Sequence, residues 1–285
     1  MTDPTTWRDQ ELHRLIDTTA AELTAAWTTL TTAQRAVLAA VRSTADTRRR
    51  AAMLRAALTR FNTAVAAFDA VAISVVQRWS STELPIAYRH GAEAALHSAP
   101  WPNAQPRPAF AWTPGRQEEL QRLSNGAYEV LARRVTETIR RARAFHRAVA
   151  ETIRRRNAAS PADLARHHRL DTVVYADNTR YPAAAWARSA IAAQAAAAAN
   201  IAALRTAVDD LATEWVQVVD GPECGWTGHS DPDRANGTLR NVEDAAVHPI
   251  AHPGCIRALI PRPDLAGRTD IEAGQPASEE EEGAA

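Results

Sequence analysis

The stretch Leu54-Arg-Ala-Ala-Leu-Thr-Arg-Phe-Asn-Thr-Ala-Val-Ala-Ala-Phe-Asp-Ala-Val-Ala-Ile-Ser-Val-Val-Gln-Arg-Trp79 decides the fold class of this chain. Its large apolar residues recur about every 3.5 positions, and polar or small residues stand between them. This is the period of an amphipathic helix, which buries one face against a partner. The apolar positions are Leu54, Leu58, Phe61, Val65, Phe68, Ala72, Val75 and Trp79.

The residues on either side of this stretch continue the helical pattern. An earlier stripe predicts a first helix, and the sequence Ser43-Thr-Ala-Asp46 has capping-box spacing, which favours a new helix start there over one continuous helix. A shorter helical piece follows near 84–97. We therefore predict an antiparallel helical hairpin. The apolar positions of the first helix are Leu12, Leu15, Ile16, Leu23, Trp27 and Leu30.

A proline-rich segment, 99–114, interrupts the helices. Five prolines in sixteen residues cannot form a helix interior. Because the segment also carries Trp101, Phe110 and Trp112, we expect an extended arm that packs on this chain or on a neighbour. Pro114 suits the first turn of a third long helix. The stripe of that helix is Leu120, Leu123, Ala127, Val130, Leu131, Val135, Ala142, Phe145, Val149 and Ile153.

The last part of the chain changes character. Ser160-Pro-Ala-Asp163 predicts a helix start, and strands are expected at 172–176, 214–219 and 257–260. Pro182 is expected to open an alanine-rich helix that reaches Leu211. The fold class is therefore mainly α, with a helical hairpin or bundle and a small α+β C-terminal domain. We predict a hairpin region (1–98), an arm (99–114), a long Arg-rich helix (115–160), an α+β domain (161–264) and a disordered acidic tail that includes Glu279–Glu282 (265–285).

The composition excludes several classes of protein. The 285 residues include 33 arginines, no lysine and 33 acidic residues, so the formal net charge is zero. A neutral chain is not a general nucleic-acid coat, although it can carry a local basic patch. No run of about 18 strongly apolar residues is present, so we expect no membrane span. The N-terminus does not resemble a secretory signal, and two cysteines are too few for a disulfide framework.

The second half of the third helix is rich in arginine. Such a face can contact nucleic acid through its phosphates. The alternatives are a solvated helix face or a face that pairs with acidic residues of a partner. The candidate nucleic-acid-binding residues are Arg133, Arg134, Arg140, Arg141, Arg143 and Arg147.

Two pairs of soft metal ligands lie near the C-terminus. Cys224 and His229 form the first pair, and His252 and Cys255 form the second, 22 residues further on. Thiolate and imidazole are the ligands of tetrahedral Zn²⁺, and a loop-rich segment gains most from a metal cross-link. We therefore predict a candidate zinc site, with His248 as an alternative ligand.

Other interpretations of these residues stay open. The cysteines can be small core residues while the histidines cap loops, or the two cysteines can form a disulfide. Cys224 with a nearby histidine can also form a nucleophile and base. A metal-dependent hydrolase or nuclease centred on His229, His252 and the cysteines is a further alternative, and His229 with Asp231 and Asn236 is another candidate nuclease centre.

Three blocks together resemble a known family. They are Asp220-Gly-Pro-Glu-Cys-Gly-Trp-Thr-Gly-His229, Ala235-Asn-Gly-Thr238 and Pro249-Ile-Ala-His-Pro-Gly-Cys-Ile-Arg257, and they are similar to the Mu F-like minor head proteins of tailed phages, above all those of actinobacterial phages. The stretch from Tyr175 to Pro182, with Arg188 and Asn200 on the following helix, is similar as well. The motif residues are Asp220, Gly221, Trp226, Asn236, Gly237, Pro253 and Arg257.

The resemblance implies a structural, non-enzymatic head morphogenesis protein. Such proteins lie inside the virion head, assemble in the host cytoplasm and associate with the portal protein and the major capsid protein. The resemblance further implies several copies on the portal, contact with phage DNA in some members, and no membrane partner.

Overall fold

The computed structural model describes residues 4–102, 105–155, 160–175 and 178–277. The chain is mainly helical with a few short antiparallel strands, which confirms the predicted fold class. A π-helical turn, Trp79–Glu83, joins the second helix to the third, and Pro263–Leu265 form a short 3₁₀ turn. The helices are α1 (Pro4–Arg42), α2 (Thr47–Arg78), α3 (Leu84–Ser98), α4 (Pro114–Arg155), α5 (Pro161–His167), α6 (Ala183–Asp209) and α7 (Val242–Val247).

The strands form two small antiparallel sheets. β1 (Thr172–Val174) pairs with β2 (Arg180–Pro182). In the second sheet, β3 (Trp215–Val219) lies between β4 (Leu239–Asn241) and β5 (Ala258–Pro261). The sequence predicted β1, β3 and β5. It missed β2 and β4, because strands of three residues are too short to show alternation.

The sequence predicted that Pro182 opens the alanine-rich helix, but it does not. It is the last residue of β2, opposite Thr172, and α6 begins one residue later at Ala183. Proline fits this edge position because the ladder there needs no N–H from it. The Ala183 N–H instead donates to the carbonyl of Asp171.

The apolar stripe of α2 is buried along its whole length. All eight predicted positions lie in the core, and Phe61, Ala72 and Trp79 are completely covered. Each large side chain removed from water in this way contributes roughly 1.5–3 kcal/mol. The helix begins after Asp46, whose Oδ1 accepts from the backbone N–H groups of Arg48 and Arg49. The cap is therefore Asp46 and not Ser43.

The residues divide into two compact units that alternate along the sequence, in place of the sequential domains we predicted. One unit contains residues 17–79 and 127–188, and the other contains 1–16, 80–126 and 189–285. The first carries 21 arginines and 10 acidic residues, which gives a net charge of +11. The second carries 12 arginines and 23 acidic residues, which gives a net charge of −11. We call them the basic unit and the acidic unit. The neutral chain thus contains two strongly charged parts.

Aromatic rings fill the core of the basic unit. Trp27 lies edge-on to Phe68 at 4.8 Å and to Trp186 at 5.7 Å, and Phe61 meets Phe145 at 5.1 Å. Edge-to-face pairs of this kind add to the burial energy. One position of the predicted α4 stripe is wrong, since Val130 is half exposed.

The proline-rich arm belongs to the acidic unit and packs on this chain. Trp101 and Phe110 contact the buried cluster formed by Leu96, Ala99 and Leu211. The Arg107 guanidinium donates to the carbonyls of residues 96, 97 and 99, which are free acceptors at the end of α3. The arm therefore closes the C-terminal end of a helix that it directly follows.

The first part of the predicted disordered tail, residues 265–277, packs on the second sheet. Leu265 and Ile271 are buried against Trp215 and Leu239, and the backbone of residues 274–275 pairs with Leu239. Two apolar side chains among acidic neighbours are enough to hold this segment on the sheet. The acidic run Glu279–Glu282 lies outside the described residues.

Two helical stretches are long and apolar enough to cross a membrane when only length and composition are considered. They are Thr47–Ser98 and Ala183–Asp209, and 33% and 50% of their most apolar windows are buried inside the protein. Core helices meet the same criterion, so this is weak support for a span. The expected absence of a membrane partner stays a prediction.

Candidate metal centre

Sheet pairing brings the two predicted ligand pairs together. Val219, the last residue of β3, lies opposite Ala258, the first residue of β5. The residues that follow β3 and those that precede β5 must therefore meet at one end of the sheet. Cys224 ends one tight turn, and His252 and Cys255 begin and end another. The Cys224 N–H donates to the Gly221 carbonyl, and the Cys255 N–H donates to that of His252.

Three side chains form a group that can hold a metal ion. The ligand atoms of Cys224, His229 and His252 all lie within 4.8 Å of one another. Cys224 Sγ is 3.4 Å from His252 Nε2 and 3.9 Å from His229 Nδ1. In a tetrahedral zinc site, a thiolate sulfur and an imidazole nitrogen stand about 3.5 Å apart, and the two sulfur–nitrogen distances here are compatible with that value.

The neighbourhood of His252 sets its tautomer. Its Nδ1 lies 3.3 Å from the carbonyl oxygen of Pro253, and a carbonyl can only accept. The proton therefore resides on Nδ1, and the lone pair of Nε2 points to Cys224. Metal-binding histidines usually have such a partner on the second nitrogen, because it fixes the ring orientation.

Cys255 and His248 are not members of this group. The Cys255 thiol is buried and donates to the Asp220 carboxylate at 3.4 Å. The His248 ring packs against Trp226 at 5.6 Å. The structure therefore brings together three of the four predicted ligands, and the fourth, Cys255, contacts a carboxylate.

The Cys224 thiol lies in an environment that favours its protonated form. Burial raises its pKa, and the hydrogen bond with Asp220 and the negative charge of that carboxylate raise it further. Nucleophilic cysteines show the opposite shift, because cations or helix N-termini lower their pKa. A metal ion would displace this proton on binding.

A buried ion pair holds the segment 220–257, which we call the Cys/His segment. Arg257 Nε donates to Asp220 Oδ2 at 2.9 Å, and both side chains are completely buried. The other guanidinium nitrogens donate to the carbonyls of residues 225, 226 and 248. One arginine thus joins β5 to the turn after β3 and to the end of α7.

The Trp226 ring is the centre of the Cys/His segment. The guanidinium groups of Arg257 and Arg240 lie 4.6 and 4.5 Å from its ring, and its Nε1 donates to Asp244. Arg240 in turn makes two hydrogen bonds with Asp233. Arg257 was expected here as a motif residue, whereas Arg240 and Asp244 were not, because polar contacts in a loop follow no sequence period.

The remaining motif residues also act as supports. The Asp220 N–H donates to the Asn236 side chain, and the Gly221 N–H donates to Asp220 Oδ1. Gly237 has a φ of +77°, which glycine adopts without strain. From α6, the buried Asn200 amide donates to the carbonyls of residues 249 and 257.

Asp231 belongs to the nuclease alternative. Its carboxylate accepts hydrogen bonds from neighbouring residues of the same turn. It accepts from the Thr227 N–H and hydroxyl and from the Asp233 N–H. These hydrogen bonds lower its pKa to about 2. Within the described residues, the metal-ligand group contains neither Asp231 nor Asn236.

The six arginines predicted to bind nucleic acid divide into two sets. Arg134 and Arg141 donate to backbone carbonyls of residues 169–174, and Arg140 pairs with Glu137 at 2.8 Å. Arg133, Arg143 and Arg147 are exposed, and no ion pair with them is found in the part of the chain that the structure describes. Half of the predicted set therefore has a structural use within the basic unit.

Comparison of the chain with protein-family models, with curated proteins and with solved structures finds no match. The resemblance to phage minor head proteins therefore depends on the sequence motifs alone and stays a prediction.

Proposed function

We propose that this protein is a non-enzymatic structural component of a tailed-phage head, which docks on the portal during assembly. The observation that supports this best is the use of the motif residues. Asp220, Trp226, Asn236 and Arg257 hold the Cys/His segment together. The Asn236 oxygen accepts from the Asp220 N–H, the Trp226 Nε1 donates to Asp244, and Arg257 donates to Asp220 and to backbone carbonyls. Residues used in this way build a rigid surface for contact with another protein.

We further propose that Zn²⁺ binds Cys224, His229 and His252. The donor set and spacing fit this ion, as described above. His229 is exposed, so the site lies at the surface of the unit. A fourth ligand would come from water or from Cys255, whose thiol would have to leave Asp220. Bound zinc would cross-link the turn that ends at Cys224 to the turn that begins at His252.

Elemental mass spectrometry of the purified chain tests the zinc proposal. We expect about one zinc ion per chain in the wild type and none in Cys224→Ser. Cys255→Ser keeps the three grouped ligands, so it should retain zinc if water is the fourth ligand and bind zinc more weakly if Cys255 is. Retention of zinc in Cys224→Ser, or its absence from the wild type, would contradict the site.

Co-expression with the portal protein of the same phage tests the structural role. We expect the two to co-purify at low salt, and we expect Arg257→Leu, which removes the central support of the Cys/His segment, to weaken the complex. Persistent separation of the wild-type proteins would count against the proposal. Metal-dependent cleavage of DNA that disappears in His229→Ala would favour the hydrolase instead.

A further inference from the structure

A groove in the basic unit lies between α1 and residues 165–171, which include the end of α5. It has a volume of about 630 Å³, and we call it the α1–α5 groove. At about 100° and 1.5 Å per residue, its α1 positions share a sector of about 120° and extend over about 15 Å. The groove therefore follows one face of α1 for almost three turns. Its α1 wall is formed by Thr28, Thr31, Gln34, Arg35 and Leu38.

Three arginine side chains line this groove. Arg35 comes from α1, and Arg166 and Arg169 come from the opposite wall. Arg35 donates to a threonine hydroxyl and has no acidic partner within the described residues. Arg166 donates to Asp163 through one nitrogen, and Arg169 donates to Asp171 through two. Exposed pairs of this kind are weak, and a guanidinium has five N–H donors. All three arginines therefore keep donors for an anionic ligand.

The α1 wall of the groove presents hydrogen-bond acceptors. The buried Gln34 donates through Nε2 to the His168 carbonyl, which leaves its Oε1 as an acceptor. The hydroxyls of Thr28 and Thr31 donate to backbone carbonyls of α1, so their oxygens can only accept from a ligand. The groove thus combines cationic donors with neutral acceptors, and a matching ligand needs both anionic groups and N–H groups.

An extended acidic peptide has both kinds of group. Its carboxylates can bind guanidinium groups through two parallel hydrogen bonds, and its backbone N–H groups can donate to the α1 wall. A chain of phosphates carries acceptors only and would set acceptors against acceptors. Among the described residues that line the groove, none is aromatic, so nothing there would stack on a base. These observations favour a peptide over a nucleotide or a polyphosphate.

The chain itself contains a peptide of this kind. The acidic run Glu279–Glu282 follows two residues after Ala277, which is held on the acidic unit by its N–H bond to the Gly237 carbonyl. Four residues of extended chain span about 13 Å, which is close to the length of the α1 wall. Four carboxylates also complement a groove that is lined by three arginines and the single carboxylate of Asp171.

We infer that the α1–α5 groove of one copy of this chain binds the acidic run Glu279–Glu282 of a second copy. The groove and the run are different surfaces, so the contact is heterologous and builds rings or open chains of copies. The inference does not depend on the metal centre or on portal docking, because the groove lies in the basic unit and the test needs neither zinc nor a portal.

Sedimentation velocity of the full chain at several concentrations and salt concentrations tests the association. At low salt the wild type should exceed its monomer mass of 30.9 kDa, and high salt should dissociate it. A groove variant (Arg35→Gln, Arg166→Gln, Arg169→Gln) and a run variant (Gln at positions 279–282) should each stay monomeric, with circular dichroism verifying the fold. The charge-matched control places Gln at positions 133, 143 and 147, exposed arginines of α4 outside the groove, and should associate like the wild type.

A mixture of the two monomeric variants gives a sharper test. The groove variant still has the acidic run and the run variant still has the groove, so together they should form a 1:1 complex that grows no further. A wild type that stays monomeric would overturn the second copy as the source of the run. Equal loss of association in the α4 control would show that general charge, and not the groove, holds the copies together.

A fluorescein-labelled peptide of residues 277–285, added to the run variant, tests the ligand class by fluorescence anisotropy. Thr31→Val should weaken peptide binding about fivefold by removing one acceptor, whereas Thr29→Val, which lies outside the groove, should not change it. Equal competition by tripolyphosphate or by oligothymidylate, at the same concentration of charge, would overturn the peptide assignment. Unchanged affinity in the groove variant would overturn the site itself.

Discussion

Arg257 shows how one residue can organise a loop-rich segment. Its guanidinium is completely buried, pairs with Asp220 and donates to three carbonyls that no strand or helix uses. An isolated buried cation is very unfavourable, so this arrangement is stable only while every donor has its acceptor. The metal ligands Cys224 and His252 lie in the two turns that this network connects.

Truncation of Arg257 should therefore destabilise the protein strongly. We expect Arg257→Leu to lower the free energy of unfolding by about 3–5 kcal/mol, because it leaves the Asp220 carboxylate buried without a counter-charge. Urea denaturation followed by circular dichroism measures the change. The double variant Asp220→Asn/Arg257→Leu should lower the free energy of unfolding by less than the sum of the two single-variant effects.

A surface arginine provides the control for this measurement. Arg234→Leu removes a half-exposed guanidinium of the same segment and should change the free energy of unfolding by less than about 1 kcal/mol. Equal effects of Arg257→Leu and Arg234→Leu would contradict the central role assigned to the buried pair.

At the scale of elements, the contact between α3 and α6 depends on a glycine. A Cβ at Gly91 would lie 2.1 Å from the Ala199 carbonyl oxygen and 2.4 Å from its Cα, so the two backbones touch. Neither atom belongs to a flexible side chain that could move aside. The alanine-rich sequence of α6 allows this approach, because its side chains are small.

Two glycine substitutions with opposite expected effects test this contact. Gly91→Ala should destabilise the protein by at least about 1–3 kcal/mol, since the helices must separate. Gly126→Ala, in α4, meets no atom within 4 Å and should stabilise the protein by about 0.5–1 kcal/mol through helix propensity. Thermal denaturation distinguishes them, and a stabilising Gly91→Ala would refute the close packing.

The long elements could be predicted from the sequence because their signals are periodic. The stripe from Leu54 to Trp79, the prolines of the arm and the cap at Ser160 each act locally, and each gave an element at the expected place. β4 and the packed segment around Ile271 could not be predicted, since partners far along the chain hold them.

The candidate site shows the same division between local and distant signals. Its ligand types and their spacing predicted four ligands, and the structure groups three of them, Cys224, His229 and His252. The position of Cys255 on Asp220 depends on how β5 returns beside β3, and ligand spacing carries no information about that contact.

At the scale of the whole molecule, zero net charge is a sum of two large opposite charges. The basic unit carries +11 and the acidic unit −11. All of the positive charge is guanidinium, which stays protonated at every pH the protein tolerates. The behaviour of the chain in low salt should therefore follow the charges of its parts and not its pI of about 7.1.

Ion-exchange chromatography makes this expectation measurable. At pH 7 and low salt, we expect the chain to bind both sulfonate and quaternary-amine resins, whereas a protein with evenly mixed charges would bind neither strongly. The variant with Gln at positions 133, 143 and 147 should elute earlier from the sulfonate resin only. Failure of the wild type to bind either resin would show that the opposite charges neutralise each other locally.

The link between Cys224 and His252 also has a consequence for the unfolded chain. A metal ion bound to both would close a loop of about 28 residues. By the arithmetic used for disulfides, such a closure removes denatured-state entropy equivalent to about 3–4 kcal/mol at 25 °C. This segment has few residues in regular structure, and a comparable gain from burial would need the side chains of two more leucines. In this segment, a metal cross-link can therefore stabilise the fold as much as a larger apolar core would.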